Sequence, residues 1–271
     1  MSFLNLFARI SCLLPMNTLL IKIIMMPIVI GGVTIASKKW GNLVGGMIAS
    51  LPWIAGPIMF FFTFEQGVDF AVNSVKGIMM GIVGVLAFCF AYIYSAIKSK
   101  WYTSLVLAYC AFVATTVLLK TCDNLIGLEG WFLIAIILSL IGLFFFPNLE
   151  IQASSGHILK FDIYLRMVII TVFVTLITYL AQILGPTWSG ILTPFPIITA
   201  ILAAFTHYTQ GAYGTSIILR GMLTGFIGFA SFLFLQAKLL PHFPIAITFV
   251  IGFIVNILLN LSMRSVVKRF L

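Results

Sequence analysis

Apolar segments of about 20 residues recur along the whole chain, and few charges interrupt them. A segment of this length is what an α-helix needs to cross the roughly 30 Å hydrocarbon core of a bilayer. The composition agrees, because 62% of the residues are apolar and only 8% are charged, whereas a soluble surface needs far more charge. Short alternating segments, which are typical of a membrane barrel, are absent from the sequence. We therefore expect an all-α, polytopic integral membrane protein.

The second half of the chain repeats the first at an offset of 144 residues. Between residues 46 and 90, 11 of 45 aligned positions are identical, where this composition would give about four by chance. The identical glycine and proline pairs are Gly46/Gly190, Pro52/Pro196, Gly67/Gly211, Gly77/Gly221, Gly81/Gly225 and Gly84/Gly228. The last three pairs lie about one helical turn apart, which predicts close helix packing. A duplicated apolar unit interrupted by glycine and proline is typical of transporters.

The apolar pattern predicts nine membrane spans, at about 19–36, 42–64, 68–96, 102–119, 131–147, 163–183, 187–206, 212–236 and 244–263. Residues 1–15 are expected to form an uncleaved interfacial segment. Repeat 1 follows over 16–120, a linker helix over 121–150 and repeat 2 over 151–271. Because a single linker span joins two four-helix repeats, repeat 2 should be inverted relative to repeat 1.

The basic residues of the loops agree with nine spans better than with eight. One side then receives Lys38, Lys39, Lys98, Lys100, Lys160, Arg264, Lys268 and Arg269, and the other receives Arg9, Lys120 and Lys238. Positive loops mark the cytoplasmic side, so the C-terminus is predicted to be cytoplasmic and the N-terminus external. Without the fifth span this bias disappears. The net charge of +9 is therefore interpreted as a topology signal, with no nucleic acid partner.

Paired helix breakers interrupt the second helix of each repeat, as LPWIAGP at 51–57 and TPFP at 193–196. Proline lacks a backbone N–H, so Pro52, Pro57, Pro194 and Pro196 are each expected to free carbonyl groups. Irregular backbone at membrane depth is tolerated where protein buries it or where it lines a cavity. Since both repeats are interrupted at the same place, these prolines are predicted to lie at a substrate site. A simple proline kink is the alternative, and the sequence leaves open whether each segment is kinked or re-entrant.

Each repeat carries one basic residue in its first helix and one in its third, namely Lys22 and Lys76 in repeat 1 and Arg166 and Arg220 in repeat 2. Such a residue costs about 2.5–3.5 kcal/mol at a helix centre, which something should offset. Lys76 and Arg220 are predicted to line a polar cavity between the repeats and to bind an anion. Lys22 and Arg166 lie nearer helix ends, so they either join this site or snorkel into the headgroups. Arg166 can also pair with Asp162 one turn earlier.

Three titratable residues are candidates for proton coupling. Glu65 and Asp69 lie one turn apart near the outer ends of two helices, where a hydrated loop pair is the alternative interpretation. His207 is followed by Tyr208 where the interrupted helix of repeat 2 reaches the inner face. The histidines and cysteines have no metal-ligand spacing, and the sequence contains no catalytic or nucleotide-binding motif. We expect no enzyme activity, no metal and no cofactor.

The second repeat, GILTPFPIITAILAAFTHYTQGAYGTSIILRG, resembles the GlpM-like family of small bacterial inner-membrane proteins. The residues that match this family are Arg166, Phe195, Pro196, His207, Tyr208, Gly211, Leu219 and Arg220. Repeat 1 keeps Lys22, Pro52, Gly67 and Lys76, but it has Thr63 and Phe64 in place of the His-Tyr pair. The resemblance implies a four-helix unit of the bacterial inner membrane, here fused to a second copy, and it implies no particular chemistry.

These features predict a secondary transporter or flippase of an anionic substrate, either a lipid phosphate or a small organic anion. The expected partners are membrane lipids, this anion and, in a homo-oligomer, further copies of the chain. The alternative is a non-transporting membrane subunit of a cell-envelope assembly system, with a pore-type channel third. A transporter should contain a polar cavity between the repeats near mid-membrane, whereas a scaffold should be solidly packed.

Overall fold

The computed structural model describes residues 20–28, 31, 51–147, 149 and 162–270, apart from the side chains of 162–163, 165–166 and 264–270. Over this part of the chain the fold is all-helical and has no strand. Besides a helical segment at 20–28, it contains α1 (Ala55–Glu65), α2 (Val68–Ala96), α3 (Trp101–Thr121), α4 (Leu128–Phe145), α5 (Asp162–Leu192), α6 (Ile197–Leu239) and α7 (Ile245–Phe270). All but α1 contain a segment that is long and apolar enough to cross a membrane. The protein is therefore a multi-pass, helical membrane protein, which confirms the predicted class of polytopic helical membrane protein.

Six such helices are fewer than the nine spans predicted from the sequence. The last part of the predicted span at 19–36, from residue 32, and the first part of the one at 42–64 lie outside the described residues, as do the N-terminal segment and the loop at 151–161. What is described of the second span is α1, which has only 11 residues. The predicted seventh span, 187–206, begins in the last residues of α5 and ends in α6, and the predicted eighth, 212–236, lies in α6, whose 43 residues are divided at Gly211. The helix count therefore does not establish nine spans or their grouping into two repeats.

Glycines with positive φ divide the long helices into shorter segments. Gly211 (φ 70°, ψ −170°) separates residues 197–210 of α6 from residues 212–239, and Gly185 (φ 72°, ψ 170°) divides α5. Gly67, which joins α1 to α2, has nearly the same backbone geometry as Gly211, with φ 91° and ψ 165°. This region of φ/ψ space is accessible essentially only to glycine. Two positions related by the 144-residue offset therefore make the same sharp turn.

The centre of the molecule consists of α2 and α6. In their apolar spans 78% and 83% of the residues are buried, against 22–28% in the spans of α3, α4, α5 and α7. The outer helices expose large apolar side chains such as Leu118, Phe145 and Ile183. An apolar surface of this extent is what contact with lipid requires. Two central helices are thus surrounded by four that face the bilayer.

The glycines of α2 lie where other helices come closest. A Cβ added at Gly81 would lie 2.6 Å from the carbonyl oxygen of Ile191 in α5, and Gly77 faces the same segment one turn earlier. A Cβ added at Gly84 would instead lie 2.5 Å from Thr116 Cγ2 in α3. Real Cβ atoms do not approach other atoms this closely, so the backbones are in near contact at Gly77 and Gly81, and side chains of α3 pack directly against Gly84. The close packing predicted for these glycines is observed.

The helix interrupted at 193–196 continues in one direction across its break. We call residues 186–210 the interrupted helix. At its start Thr187 lies against Gly77 of α2, and near its end the His207 ring lies 5.9 Å from the ring of Tyr92, further along α2. Residues 187 to 207 therefore advance alongside residues 77 to 92. Across the proline-containing break the backbone thus keeps the same general direction.

Candidate functional site

The two helix interruptions meet at one cavity of about 60 Å³, which we call the central cavity. Residues from the interruptions line it together with the middle of α2 and of α6. Ten of its thirteen lining residues form pairs related by the 144-residue offset, which are Leu51/Phe195, Ile54/Ile198, Ala55/Thr199, Ile82/Phe226 and Val85/Phe229. Equivalent positions of the two halves thus face each other across a single space.

The two interruptions have the same local hydrogen bonding. The N–H of Trp53 donates to the carbonyl of Leu51 at 2.7 Å, and the N–H of Ile197 donates to the carbonyl of Phe195, also at 2.7 Å. Each of these contacts spans a proline, and Pro196 has φ −76° and ψ 55°, close to an inverse γ-turn. The next helix then begins directly, because the carbonyls of Pro52 and Pro196 accept bonds of 2.8 and 2.9 Å from the residues four positions on.

Two of the four prolines differ from the prediction that each would free carbonyl groups. The carbonyl of Gly190, four residues before Pro194, accepts from the N–H of Thr193 at 3.0 Å, and that of Leu192, four residues before Pro196, accepts from the N–H of Phe195 at 2.9 Å. The residue four positions before Pro52 lies outside the described residues. Pro57 lies in the first turn of α1 between Gly56 and Ile58, whose N–H groups both donate to carbonyls four residues earlier, so it interrupts this series. Only Pro194 of the four lines the central cavity.

The polar character of the central cavity comes from helix ends and two hydroxyl groups. α1 begins beside Ile54 and Ala55, and α6 begins beside Ile198 and Thr199. The N–H of Gly56 at α1 and those of Ile197 and Ala200 at α6 donate to carbonyls that precede each helix, and each helix N-terminus carries a partial positive charge. Thr199 and Thr193, which is 1% exposed, add the hydroxyls, of which that of Thr193 donates to the carbonyl of Ser189 at 2.8 Å. Neither of the hydroxyl residues was singled out from the sequence, although Thr199 is the offset partner of Ala55.

Lys76 does not line the central cavity. Its Nζ lies 2.8 Å from Oδ1 of Asp123, in the loop between α3 and α4, and Lys120 contacts the other oxygen of the same carboxylate. Burial raises the pKa of Asp123, but hydrogen bonds and charge from Lys120 and Lys76 lower it further, so the net pKa lies below the ordinary value. This cluster of one acid and two bases was missed because Asp123 lies 47 residues after Lys76 in the chain.

Arg220 also lies outside the lining and contacts the other end of α4. Its Nη2 donates to the carbonyl of Phe146 at 2.8 Å, and one turn earlier the hydroxyl of Ser216 donates to the carbonyl of Pro147 at 3.0 Å. The guanidinium is 8% exposed, and its Nε has no hydrogen-bond partner. Among the described residues no carboxylate lies within ion-pairing distance of Arg220. Since α4 spans about 27 Å, Lys76 and Arg220 belong to opposite ends of the molecule.

Lys22 is buried, with 4% exposure, and forms the most enclosed ion pair that the structure describes. Its Nζ lies 2.7 and 3.0 Å from the two carboxylate oxygens of Glu65, and it donates to the hydroxyl of Thr178 in α5 at 2.7 Å. The same Nζ lies 4.8 Å from the centre of the Phe61 ring. Lys22 therefore does not snorkel into the headgroups. The side chain of its predicted counterpart, Arg166, lies outside the described side chains.

The remaining proton-coupling candidates have different surroundings. Asp69 is exposed in the first turn of α2 and takes no part in the Lys22–Glu65 pair. His207 Nδ1 lies 3.4 Å from the hydroxyl of Tyr92, which is fully buried, while the adjacent Tyr208 is 54% exposed. In the described part of the chain no three His, Cys, Asp or Glu side chains gather closely enough to hold a metal.

The chain matches no family model, no curated protein and no solved structure. The resemblance to the GlpM-like family therefore stays a prediction. Any assignment of function has to come from the central cavity and the charged contacts around it.

Proposed function

We propose that the chain consists of two inverted four-helix repeats around the linker helix α4, with nine spans in all. The direction of the helices supports this arrangement. Ser74 Oγ lies 3.6 Å from Met59 Sδ, and Phe62 and Phe70 have ring centres 5.2 Å apart, so α1 and α2 run antiparallel from the turn at Gly67. The interrupted helix 186–210, which is the offset partner of the segment containing α1, runs parallel to α2. The two equivalent segments therefore run in opposite directions, as inversion requires.

The function that this arrangement supports best is transport of an anionic substrate across the bacterial inner membrane, by a secondary transporter or a flippase. The observation that carries the proposal is the central cavity, in which two helices begin at equivalent interruptions from the two halves. Helix N-termini stabilise negative charge through the helix dipole. In inverted-repeat transporters this is also how interrupted helices bind anionic groups near the midplane.

The lining favours an amphipathic anion. Most of it is aliphatic or aromatic, and no lining side chain is charged. A lipid phosphate combines an anionic group for the helix N-termini with apolar chains that the surrounding surface accommodates. A small organic anion is the second candidate within this function. Lys76 and Arg220 would then act from the outer and inner ends as charges that attract the anion and not as direct ligands within the cavity.

The alternative, a non-transporting membrane subunit of an envelope assembly system, predicts solid packing between the repeats. A cavity is present at their junction, which supports transport, although Lys76 and Arg220, which were predicted to line it, do not. Because α1 and the 197–210 segment each lie between a proline interruption and a positive-φ glycine, both have turns at which a rigid helix could change its angle. A scaffold has no need of such paired turns.

Purified protein reconstituted into liposomes that contain fluorescently labelled phosphatidylglycerol tests the proposal. Dithionite added outside quenches label only in the outer leaflet, so transbilayer movement appears as quenching beyond one half. We expect movement with the wild-type protein and strong inhibition by Ala55→Trp, which fills the cavity. Val106→Trp, on the exposed face of α3, is the matched control and should be fully active.

Absence of movement with phosphatidylglycerol would count against lipid transport. A comparison of the lipids and metabolites of cells with and without the gene then tests the small anion. If neither class of substrate responds to the protein or to the Ala55→Trp change, the transport proposal is wrong and the scaffold is favoured.

A further inference from the structure

We propose that Glu65 is a proton-binding site that couples this transport, and that protonation acts by releasing α1 from Lys22. The inference rests on the proposed function and names the proton as its coupling ion. Its observations are the buried Lys22–Glu65–Thr178 contacts, the position of Glu65 at the last residue of α1, and the central cavity at the first residues of the same helix.

The ion pair joins three separate parts of the molecule. Lys22 belongs to the N-terminal helical segment, Glu65 to α1, and Thr178 to α5 in the second half of the chain. Both carboxylate oxygens of Glu65 face the single ammonium group. In the described structure this pair is therefore the charged contact that fixes the end of α1 against the rest of the bundle.

α1 is a short helix with a turn at each end, so it can move as a rigid unit. Its 11 residues span about 16 Å, from the central cavity at Ala55 to the ion pair at Glu65. The turn at 51–54 precedes it, and Gly67, which has nothing within 4 Å of an added Cβ, follows it. A movement at Glu65 therefore changes the position of the helix end that lines the cavity.

Protonation of Glu65 removes the charge that Lys22 neutralises. One proton adds to a carboxylate oxygen of Glu65, while Lys22 stays an ammonium ion and keeps its hydrogen bond to Thr178. The charged group that faces Glu65 is Lys22 from the N-terminal segment, and Lys22 in turn contacts Thr178 from α5 and the Phe61 ring. The Glu65 side chain is 19% exposed, which gives water a route to it, whereas Lys22 is enclosed. The nearby Asp69 is exposed and has no place in this exchange.

The second half of the chain lacks such an ion pair at the equivalent position. The offset partner of Glu65 is Thr209, so the segment 197–210 carries no carboxylate there. Near that end the Tyr92–His207 contact joins the segment to α2 instead. Proton binding at Glu65 would thus release α1 and not the segment 197–210, which is what opening toward a single side requires.

Access to the central cavity measures this release without reference to any substrate. A cysteine placed at Ala55 in a chain free of other cysteines is labelled with a membrane-impermeant thiol reagent, applied from the outer side of sealed right-side-out vesicles. We expect slow labelling at neutral pH and faster labelling as the pH falls. Glu65→Gln should label about tenfold faster or more at neutral pH, with no further increase on acidification. Asp69→Asn, the matched control, should behave like the unmodified protein.

Two further variants separate this effect from misfolding. Glu65→Gln leaves Lys22 buried without its partner, which can destabilise the protein. The neutral pair Lys22→Met with Glu65→Gln removes both charges and should also label rapidly and independently of pH. The exchanged pair Lys22→Glu with Glu65→Lys should restore slow labelling at neutral pH. A wild-type labelling rate and pH profile in Glu65→Gln, or in the neutral pair, would overturn the proton site.

The outcomes for coupling and for transport are distinguishable. If lipid or anion movement is found but cavity access does not depend on pH, the proton site is wrong and the transporter stands. If access depends on pH through Glu65 but no substrate moves, the proton site stands and transport falls.

Discussion

Each membrane-embedded cation that the structure describes has a different environment, although the sequence presents them as equivalent pairs. Lys22 is neutralised by Glu65, and Lys76 shares Asp123 with Lys120. Arg220 instead donates to a backbone carbonyl at the C-terminal end of α4, where the helix dipole is negative. A buried cation that has lost its partner is costly, so these contacts determine whether a substitution affects folding or only function.

Substitution of Arg220 tests whether this residue holds α4 in place or attracts the anion. Arg220→Gln keeps an N–H donor for the carbonyl of Phe146 but removes the positive charge. We expect near-normal abundance and strongly reduced transport, with partial recovery in Arg220→Lys, which restores charge without the planar fork. The measurement is transport per reconstituted protein. Ser216→Ala, which loses only the contact to Pro147, is the control and should retain activity. Full activity in Arg220→Gln would mean that Arg220 only holds α4 in place and does not attract the anion.

Asp123 should make stability depend on pH. Because its folded-state pKa is lowered, the stabilisation is complete above the unfolded value of about 3.9 and is lost as pH falls through the lower folded value. Asp123→Asn should therefore lower the unfolding temperature in detergent at neutral pH, and its difference from wild type should shrink below about pH 4. Asp69→Asn serves as the exposed control. An Asp123→Asn difference that is the same at both pH values would contradict the role of the two lysines.

At the scale of helices, close backbone contact holds the interrupted helix in place. Gly81 of α2 lies against Ile191 and Pro194, directly before the turn that lines the central cavity. The glycine is required because the neighbouring atoms belong to backbone and to a proline ring, which cannot rotate away. The packing of α2 therefore positions one half of the candidate site.

Gly81→Ala should destabilise the protein by about 1–3 kcal/mol, because its methyl group would displace the interrupted helix. Gly127→Ala is the matched control, since an added Cβ there lies 3.6 Å from the nearest atom, an ordinary contact. Thermal unfolding in detergent measures both variants. Equal stability of the two would mean that α2 and the interrupted helix can separate without cost.

At the scale of the whole molecule, the contacts join chain segments that the inverted topology places on the same side of the membrane. Lys76 and Asp123 belong to the predicted outer side, and Arg220 and Phe146 belong to the inner side. The second half of the chain contacts both ends of α4, because Lys238 of α6 also contacts Glu129 in its first turn. α4 is therefore packed into the bundle and is not only a covalent connection between the two halves of the chain.

The proposed topology predicts the compartment of two reporters. A reporter fused after Leu271 should be cytoplasmic, and one inserted at residue 124 should be external, because basic residues concentrate on the C-terminal side. Compartment-specific alkaline phosphatase and fluorescent protein fusions measure this. If both sites report the same compartment, α4 does not cross and the inverted arrangement is wrong.

The sequence by itself determined which segments are helical and where they are interrupted. In a bilayer each backbone group must be hydrogen-bonded within its own segment, so apolar length and proline positions leave little freedom. The predicted span at 68–96 coincides with α2, and the break at 193–196 lies where its proline pair predicted it, whereas the residues directly before 51 lie outside the described part of the chain. The sharp turns at Gly67 and Gly211 follow from the same local chemistry, because only glycine adopts them readily.

Only the tertiary structure decided which side chains share a site. Lys22 and Glu65 are 43 residues apart, and Lys22 and Thr178 are 156 residues apart, so their contact depends on how helices are ordered and rotated in the bundle. Helices that are apolar on all faces carry little information about rotation, which is why Lys76 and Arg220 were predicted to share a cavity with each other. In the close-packed bundle those cations lie toward the ends of α4. The central cavity is lined instead by helix N-termini, apolar side chains and two threonines.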